Sequence, residues 1–382
     1  MVKIGCYQAL IIIYEEEMRN KIFGMCIILI VILYQPLFSH PRYTLLYKDK
    51  CSSCHYNPKG GGMRTEDGFT FGRNVVSMFS SSGKELLISP KLSDNISFGF
   101  DYRTQYLYSG EKKRSDFQDM TGSLYLNAAL SEKFDVVTRY DFVQSIWEGY
   151  AVAKILPNNS YIKAGTFVPD FGIKLDDHTA YTRGGDFGLL FSTGSIQGLI
   201  FNPFFTITGL EFGAHINDLL SITASVGKSK FNTVFSSDPV WTTRAEVTPQ
   251  LGDIQFLFGG SFSATKTKHI DVNSGVVDVL PTNFFGGFAD LALGPVSLTG
   301  EFFIGAFNDG WYKLTGLYMI DLDPFTLGLG GGLQGVVNPD SSALFLEGYA
   351  SIAVSDSFSI YGSVDYWFAG YANTSAGLSL AF

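Results

Sequence analysis

The residues with the clearest chemistry are two cysteines three positions apart, followed directly by a histidine. They occur as Cys51-Ser52-Ser53-Cys54-His55. This spacing is the attachment motif of c-type haem, in which two thiols add to the haem vinyl groups and the adjacent imidazole ligates the iron. The sequence therefore predicts one covalent haem c held by Cys51 and Cys54, with His55 as the proximal iron ligand.

Two other kinds of site use a Cys-x-x-Cys pair, a redox disulfide and half of a zinc site. A thioredoxin-like disulfide would need a βαβ context, which the sequence pattern does not provide. Zinc would need a second pair of ligands nearby. Of the four cysteines, Cys6 and Cys26 lie in a segment that we expect to be removed, so Cys51 and Cys54 are the mature thiols. These observations favour haem over both alternatives.

The second axial ligand of the iron is less well defined by the sequence. Met63 and Met78 are the methionines of the same segment, and either is a candidate distal ligand. A methionine packs more often than it ligates, so an open position or histidine ligation also remains a candidate. Arg64 and Arg73 could pair with the haem propionates or face water.

A second cluster, Asp176-Asp177-His178, places one imidazole beside two carboxylates and could attract a divalent cation. A solvated loop is the commoner outcome, because most surface carboxylates bind no metal. No hydrolase pattern such as Ser-His-Asp or HExxH stands out. The candidate chemistry is therefore concentrated at the front of the chain.

The amino-terminal residues have the pattern of an export signal. The apolar run from Ile22 to Tyr34 follows a positively charged flank and is 13 residues long, whereas a transmembrane helix needs about 20. Turn-forming residues follow the run, as they do near a signal-peptide cleavage site. We expect residues 1–39 to be a cleaved signal peptide, with Met18 as the more natural start. An uncleaved membrane anchor is the alternative.

Composition excludes several classes of protein. Of 382 residues, 46% are hydrophobic, 15% are aromatic and 16% are charged, with a formal net charge of -9. Globular domains average about 25% charged residues, so we do not expect this chain to face water on all sides. The aromatic content excludes disorder. The acidic balance lacks the clustered basic charge of nucleic-acid binding, so we expect no nucleic-acid partner and expect cations rather than anions as ligands.

Beyond the cysteine motif, the chain alternates with a period of two. In the run 96–108, apolar residues such as Phe98 and Phe100 fall on one parity, and polar residues such as Ser97 and Asp101 fall on the other. Such alternation is typical of β-strands with one apolar and one polar face. The same pattern recurs in the runs 254–263 and 357–368.

The apolar parity is rich in Phe and Tyr, and the opposite parity is rich in Ser, Gly and Asp. A soluble protein buries its apolar faces and exposes its polar faces to water. The reverse arrangement, with apolar side chains outside and polar side chains inside, is typical of a β-barrel in lipid. Short turns such as 131–133 alternate with longer polar stretches at 109–119, 170–186 and 265–282, which we expect to be loops. We predict an all-β transmembrane outer-membrane β-barrel of about 16 antiparallel strands over residues 93–382. A soluble sandwich or propeller is the alternative.

The order of these parts resembles a known family. A signal peptide, one haem motif and a barrel that ends in the aromatic Phe382 are similar to the fused monohaem cytochrome-porin proteins of the outer membrane. That family is associated with iron(II) oxidation and extracellular electron transfer. Phe71-Gly72-Arg73 is similar to a triplet after the family's haem site, whereas Gly60-Gly61-Gly62 departs from the Pro-containing apolar stretch of the iron oxidisers.

Size favours one arrangement of the parts. Residues 40–92 form the predicted monohaem cytochrome c segment, and a folded piece of this length has a radius of gyration of about 10 Å. A barrel of about 16 strands encloses a lumen that holds water unless something else occupies it. We therefore expect the haem segment to plug the lumen of the barrel.

The resemblance implies an electron relay in the outer membrane of a Gram-negative bacterium, with the outer-membrane lipid as one partner. Electrons would pass between extracellular Fe(II), or another redox partner, and a periplasmic c-type cytochrome. The matching enzyme activity is that of an iron(II):cytochrome oxidoreductase. Two alternatives stay open: a solute-transporting porin whose haem is structural or sensory, and a peroxidase-like enzyme that uses the haem.

Overall fold

The protein is described by a computed structural model. Met78, Arg73, the predicted signal peptide at 1–39 and the Asp176-Asp177-His178 cluster lie outside the described residues. The described residues are 43, 45, 49–71, 90–109, 113–173, 205–216, 219–229, 239–270, 277–293, 296–307, 311–322, 325–336, 343–355, 358–367 and 371–381.

Eighteen β-strands make up most of the described chain. They follow the alternating apolar and polar residues, because a period of two places every second side chain on the same face. They are β1 (Lys91–Ser93), β2 (Ile96–Ser109), β3 (Arg114–Ser131), β4 (Phe134–Asp141), β5 (Ile146–Ala153), β6 (Tyr161–Phe167), β7 (Ile207–Ile216), β8 (Leu220–Ser229), β9 (Val240–Val247), β10 (Gln250–Leu251), β11 (Ile254–Ile270), β12 (Val277–Leu293), β13 (Val296–Phe307), β14 (Trp311–Leu322), β15 (Phe325–Val336), β16 (Ala343–Ser355), β17 (Phe358–Trp367) and β18 (Tyr371–Ala381).

Helical structure in the described residues is short. Helix α1 spans Cys51–Cys54 and helix α2 spans Glu66–Phe71, both ahead of the strands. A 3₁₀ turn at Pro157–Asn159 separates β5 from β6. None of the described helices is long and apolar enough to cross a membrane.

Within the described residues, sixteen of the eighteen strands form one closed ring of antiparallel neighbours. Each strand from β2 to β9 pairs with the next, β9 pairs with β11, and the series continues to β18. The ring closes because β18 pairs with β2, from Asn373 opposite Ser109 to Ala381 opposite Asp101. The other two strands are short, with β1 beside β2 and β10 beside β11. The predicted barrel of about 16 strands is confirmed.

The two ends of the barrel differ in the length of their connections. At the short-turn end, hairpins are joined by a few residues, such as 132–133 between β3 and β4 and 252–253 between β10 and β11. At the long-loop end, the connection from β6 to β7 covers residues 168–206, and that from β8 to β9 covers 230–239. Because β2 begins at the short-turn end, the amino-terminal segment joins the barrel there.

Where the side chains of the strands are described, most outward-pointing residues are apolar and most inward-pointing residues are polar. Phe117, Trp147 and Trp241 point outward and are 77%, 47% and 54% exposed. Ser123 and Asp141 are fully buried, whereas their strand neighbours Leu124 and Tyr140 are 40% and 48% exposed on the other face. This pattern matches a barrel whose outer surface contacts lipid and whose lumen is polar, as the sequence predicts.

Two of the polar stretches predicted as loops, 109–119 and 265–282, are largely β-structure instead. Strand β3 begins at Arg114, and β11 and β12 stay paired until Ile270 lies opposite Val277. The loop prediction is wrong here because a hairpin that continues beyond the apolar band still pairs its backbone groups. It needs no apolar face there, so its polar composition does not mark the end of a strand.

We expect the outward tryptophans to contact lipid near the membrane interface. Trp147 and Trp241 are each the second residue of their strand, β5 and β9, so both lie at the long-loop end, where barrels carry aromatic girdles. In liposomes of brominated lipids, variants that keep one of these tryptophans should be quenched more by bromine near the headgroup than by bromine near the chain end. The double variant Trp147→Phe/Trp241→Phe is the control. Absence of quenching at every depth contradicts the outward assignment.

Candidate haem site

The Cys-x-x-Cys-His motif folds as one turn of helix. Helix α1 ends where the backbone N–H of His55 donates to the carbonyl of Cys51, at 2.9 Å. Residues three apart on a helix share a face, so the turn brings both thiols to one side, with the imidazole directly after them. At the start of α1, the hydroxyl of Ser53 donates to Oδ1 of Asp49 at 2.6 Å.

A tight antiparallel return follows the motif. The N–H of Tyr56 donates to the carbonyl of Met63 at 3.2 Å, and the N–H of Thr65 donates to the carbonyl of Cys54 at 2.9 Å. These two bonds pair His55 with Arg64 in a single β-bridge. Residues 49–71, named the motif segment below, are therefore folded back on themselves.

The corner of this return requires its glycines. Gly60, Gly61 and Gly62 have φ angles of 81°, 69° and 66°, a left-handed conformation that side chains disfavour. The side-chain amide of Asn57 donates to the carbonyl of Gly60 at 2.7 Å. A Cβ atom on Gly60 would lie 3.3 Å from Sγ of Cys51. The glycine turn is thus a defined structure packed against the first thiol.

Helix α2 packs directly on the backbone of the motif. A Cβ atom on Gly68 would lie 2.1 Å from the carbonyl oxygen of Cys54, so no side chain fits at this position. The hydroxyl of Thr65 donates to the carbonyl of Ser53 at 2.8 Å and accepts from the N–H of Gly68 at 3.1 Å. These contacts fix the two helices against each other.

Lys59 joins the motif segment to the inner wall of the barrel. Its ammonium lies 3.4 Å from Oε1 of Glu246 on β9 and also donates to the hydroxyl of Ser221 on β8. The side chains of Lys59 and Glu246 are both buried. Removal of one partner from such a pair typically costs about 3–5 kcal/mol, because the other charge stays buried without compensation. The pair therefore fixes the segment to this side of the lumen.

Lys163 of β6 makes a second connection between the wall and the motif segment. Its ammonium lies 2.6 Å from Oε1 of Glu211 and donates to Oδ1 of Asn57 at 3.4 Å. Glu211 also accepts from the hydroxyl of Tyr161 at 2.9 Å, and the ring of Phe167 lies 4.5 Å from the ammonium. Since Asn57 holds the glycine turn, the wall is linked through it to the surroundings of the first thiol.

The wall contacts of the motif segment lie in the half of the lumen nearer the short-turn end. Ser97, whose hydroxyl is 2.8 Å from that of Tyr56, is the second residue of β2, and Ser221 is the second residue of β8. Glu246 is next to last in β9. All three positions are close to the short-turn end, where the segment joins the barrel.

Burial keeps both thiols in their neutral form. Desolvation, with the carboxylate of Glu246 nearby, raises the pKa of Cys51 to about 12. Desolvation also raises the pKa of Cys54, and Asp49 acts in the same direction. A redox cysteine usually has a lowered pKa instead, and both thiols are free of any disulfide. These surroundings do not favour a redox disulfide.

The structure brings the predicted motif residues into one place. Cys51 is buried, and Cys54 and His55 are half-buried, within one helical turn and the residue after it. In the described part of the chain, no three His, Cys, Asp or Glu side chains are grouped in a way that could hold a metal ion.

Of the two predicted distal ligands, Met63 is described and Met78 is not. Paired positions of an antiparallel bridge share a face, and neighbours along a strand point to opposite faces. Because His55 lies opposite the exposed Arg64, Met63 falls on the other face of the bridge, beside Tyr56, where it is buried. Ligation by Met63 stays a prediction, and this pairing does not favour it.

No local sequence pattern marks the charged residues that hold the motif segment. Lys59 resembles an ordinary solvated lysine next to a turn. Lys163, Glu211 and Glu246 fall on the polar parity of their strands, which points into the lumen. That parity is the available signal, since a charge in a filled lumen needs a partner.

Comparisons with known proteins bear on the fold. No family model matches the chain, and no curated protein matches it. Among solved structures, OprB of Pseudomonas putida matches with a TM-score of 0.52 and 12% identity, over 75% of this chain and 94% of that chain. A loop-deletion mutant of OmpT, an outer membrane protein of Vibrio cholerae, matches with 0.51 and 12%, over 75% and 99%. The outer membrane channel DcaP of Acinetobacter baumannii matches with 0.50 and 9%, over 75% and 97%. The chain has the β-barrel fold of outer-membrane porins.

In protein produced without haem loading, we expect both thiols to be alkylated slowly near pH 8. Their raised pKa values leave little thiolate, the reactive form, so the rate should rise as the pH is raised. Cys54 should react faster than the more deeply buried Cys51. Iodoacetamide treatment of Cys51→Ser and Cys54→Ser variants in detergent, followed by mass spectrometry, separates the two rates. Labelling as fast as in the urea-unfolded chain argues against the buried arrangement.

Proposed function

We propose that this protein carries one covalent haem c inside an outer-membrane β-barrel and relays electrons across the membrane. The electrons pass between an extracellular donor or acceptor, such as Fe(II), and a periplasmic c-type cytochrome, as in an iron(II):cytochrome oxidoreductase. The observation that carries the proposal is a Cys-x-x-Cys-His turn held to the inner wall of a barrel by buried lysine contacts.

A location in the outer membrane of a Gram-negative bacterium is part of the proposal. The apolar outer face of the closed ring suits lipid, and the porin fold is that of proteins whose names place them in the outer membrane. The expected signal peptide at 1–39 would direct export of the chain into the periplasm, the compartment where haem is attached to cysteines through thioether bonds.

The residues of the turn fit the attachment chemistry of c-type haem. Cys51 and Cys54 are neutral thiols on one side of a helical turn and would hold the group, and His55 would ligate its iron. A side chain at position 60 would crowd Sγ of Cys51, because its Cβ atom would lie 3.3 Å away, and glycine avoids this contact beside the first thiol. When bound, the haem supplies a one-electron iron couple.

The residues around Cys51 set the electrostatics of the site. The charged groups that act on its thiol are Glu246, Lys59, Arg244 and Asp170. They form two cations and two anions, so their charges balance. Burial and the balance of nearby charge are the means by which a protein tunes the potential of a redox centre.

The position of the motif segment also supports the relay. The apolar band of such barrels is about 25 Å tall, which is a long distance for a single electron-transfer step. The wall contacts of the segment lie near the short-turn end, whereas Asp170, which acts on the Cys51 thiol, belongs to a connection that starts from the long-loop end. A redox site between the wall contacts and Asp170 would divide the transfer across the membrane into two shorter electron-transfer steps.

A solute-transporting porin with a structural or sensory haem is the second candidate. It is favoured by the likeness in fold to proteins that include an outer membrane channel. The two candidates differ in whether the lumen conducts solutes or electrons.

We expect the purified mature protein, made together with cytochrome-maturation machinery, to keep its haem on a denaturing gel. Thioether bonds to Cys51 and Cys54 resist denaturation, so the Cys51→Ser/Cys54→Ser variant should lose the haem stain. Ser52→Ala, between the two cysteines, is the matched control and should keep it. A colourless wild-type protein in the outer-membrane fraction contradicts the cofactor assignment.

Reconstitution separates the two candidate functions. In liposomes that enclose oxidised cytochrome c, external Fe(II) should reduce the enclosed cytochrome when the wild-type protein is present. The Cys51→Ser/Cys54→Ser variant should not support this reaction. Solute flux without reduction of the cytochrome supports the porin instead, and its measurement in the same liposomes makes the result decisive.

A further inference from the structure

The connection between β6 and β7 starts by turning into the lumen. Its first six residues, 168–173, are described and are named the crossing segment. Asp170, Phe171 and Ile173 in it are 5%, 4% and 4% exposed, although connections normally run over the surface of a protein. Gly172 has a φ angle of 66°, which permits the sharp change of direction there.

The far end of the crossing segment is hydrogen-bonded to distant strands of the barrel wall. The N–H of Gly172 donates to the hydroxyl of Ser261 on β11 at 2.8 Å, and the N–H of Ile173 donates to Oε1 of Glu301 on β13 at 2.6 Å. Strand β13 lies six positions round the ring of sixteen from β6, where the segment starts. The segment therefore crosses the lumen.

Arg244 of β9 holds the crossing segment through two polar contacts. Its Nε donates to the carbonyl of Gly172 at 2.8 Å, and its Nη1 lies 3.5 Å from Oδ2 of Asp170. Its guanidinium also lies 4.5 Å from the ring of Phe288. A planar guanidinium can hold several partners in fixed directions, which the ammonium of a lysine cannot do.

The same arginine reaches the motif segment through one carboxylate. Nη2 of Arg244 lies 2.5 Å from Oε2 of Glu246, and the other oxygen of Glu246 pairs with Lys59 of the motif segment. Glu246 thus lies between two cations, one from the wall and one from the motif segment. Asp170, Arg244, Glu246 and Lys59 form a continuous buried chain across the junction of the two segments.

Apolar packing completes the junction. Phe171 packs in a buried cluster on one side of the crossing segment, and Ile173 packs in another, which includes Leu45 from the region before the motif segment. Apolar clusters inside a lumen exclude water, whereas an open porin lumen is polar. Their other members are Phe167, Phe205, Ile207, Val240, Phe284, Leu257, Phe288 and Ala292.

We propose that Arg244 is a positioning residue that locks the crossing segment onto the motif segment, and that the two segments together close the lumen to solutes. The closure depends on contacts within the polypeptide and does not require the haem. It therefore goes beyond the electron relay and can be tested whether or not the relay operates.

The test is ion conductance of the purified full-length protein in planar lipid bilayers. Wild-type protein should conduct about tenfold less than an open barrel of 16 strands. Arg244→Met should raise the current on the order of tenfold, because Asp170 and Glu246 lose their shared cation and water follows them into the lumen. Arg244→Lys should give an intermediate current, since lysine keeps the charge but cannot hold all three partners.

A second variant guards against simple misfolding. Asp170→Asn/Ser261→Ala weakens the hold on the crossing segment but leaves Arg244 paired with Glu246, and it should also raise the current. Arg139→Met is the matched control: Arg139 is paired with Glu148 at 2.7 Å and Asp141 at 3.6 Å on the wall itself, so its loss should leave the current low. Folding of every variant is checked by the gel shift between unheated and heated samples.

Two results overturn the proposal. One is a wild-type current equal to that of an open porin. The other is a low current in both Arg244→Met and Asp170→Asn/Ser261→Ala when the gel shift shows that either variant is folded. Accessibility of Cys51 to a maleimide in haem-free protein gives an independent reading, since unlocking the junction should speed its labelling by roughly tenfold.

Discussion

Backbone hydrogen bonding in lipid is the constraint on which the rest of this structure depends. Hydrocarbon offers no partner to an N–H or C=O group, so membrane-spanning strands must close into a ring, and here β18 meets β2 to do so. A ring of sixteen strands leaves a lumen wider than its own inward side chains can fill. Such a lumen holds water unless polypeptide occupies it, and both the motif segment and the crossing segment are bonded to residues of its inner wall.

The inward charges of the wall decide where these two segments lie. A buried charge is costly unless it is paired, and both Glu211 and Glu246 meet cations in the lumen. Lys163 contacts both Glu211 of the wall and Asn57 of the motif segment. Arg244 contacts both Glu246 and the crossing segment. The wall residues therefore pair the buried charges of the lumen and also bind the segment that carries the candidate haem site.

Much of the fold follows from short-range patterns in the sequence. The alternation of residues such as Ser97 and Phe98 fixes which parity faces the lumen, because one wrong register would expose every polar side chain to lipid. The motif of Cys51 and His55 is also local. The contact of Lys59 with Glu246 joins residues 187 positions apart, and it depends on the diameter and register of the closed ring. No local pattern encodes that contact, nor does one show that Asp170 turns inward.

The closing pair of strands also orders the events of biogenesis. The last strand of the chain seals the barrel against β2, and the motif segment, which is synthesised earlier, ends up enclosed with Cys51 buried. An enzyme that modifies this thiol must reach it while the chain is still an open precursor in transit. The Cys51 thiol can therefore be modified only between export of the chain and the pairing of β18 with β2. Slower pairing of these two strands would leave more time for the modification.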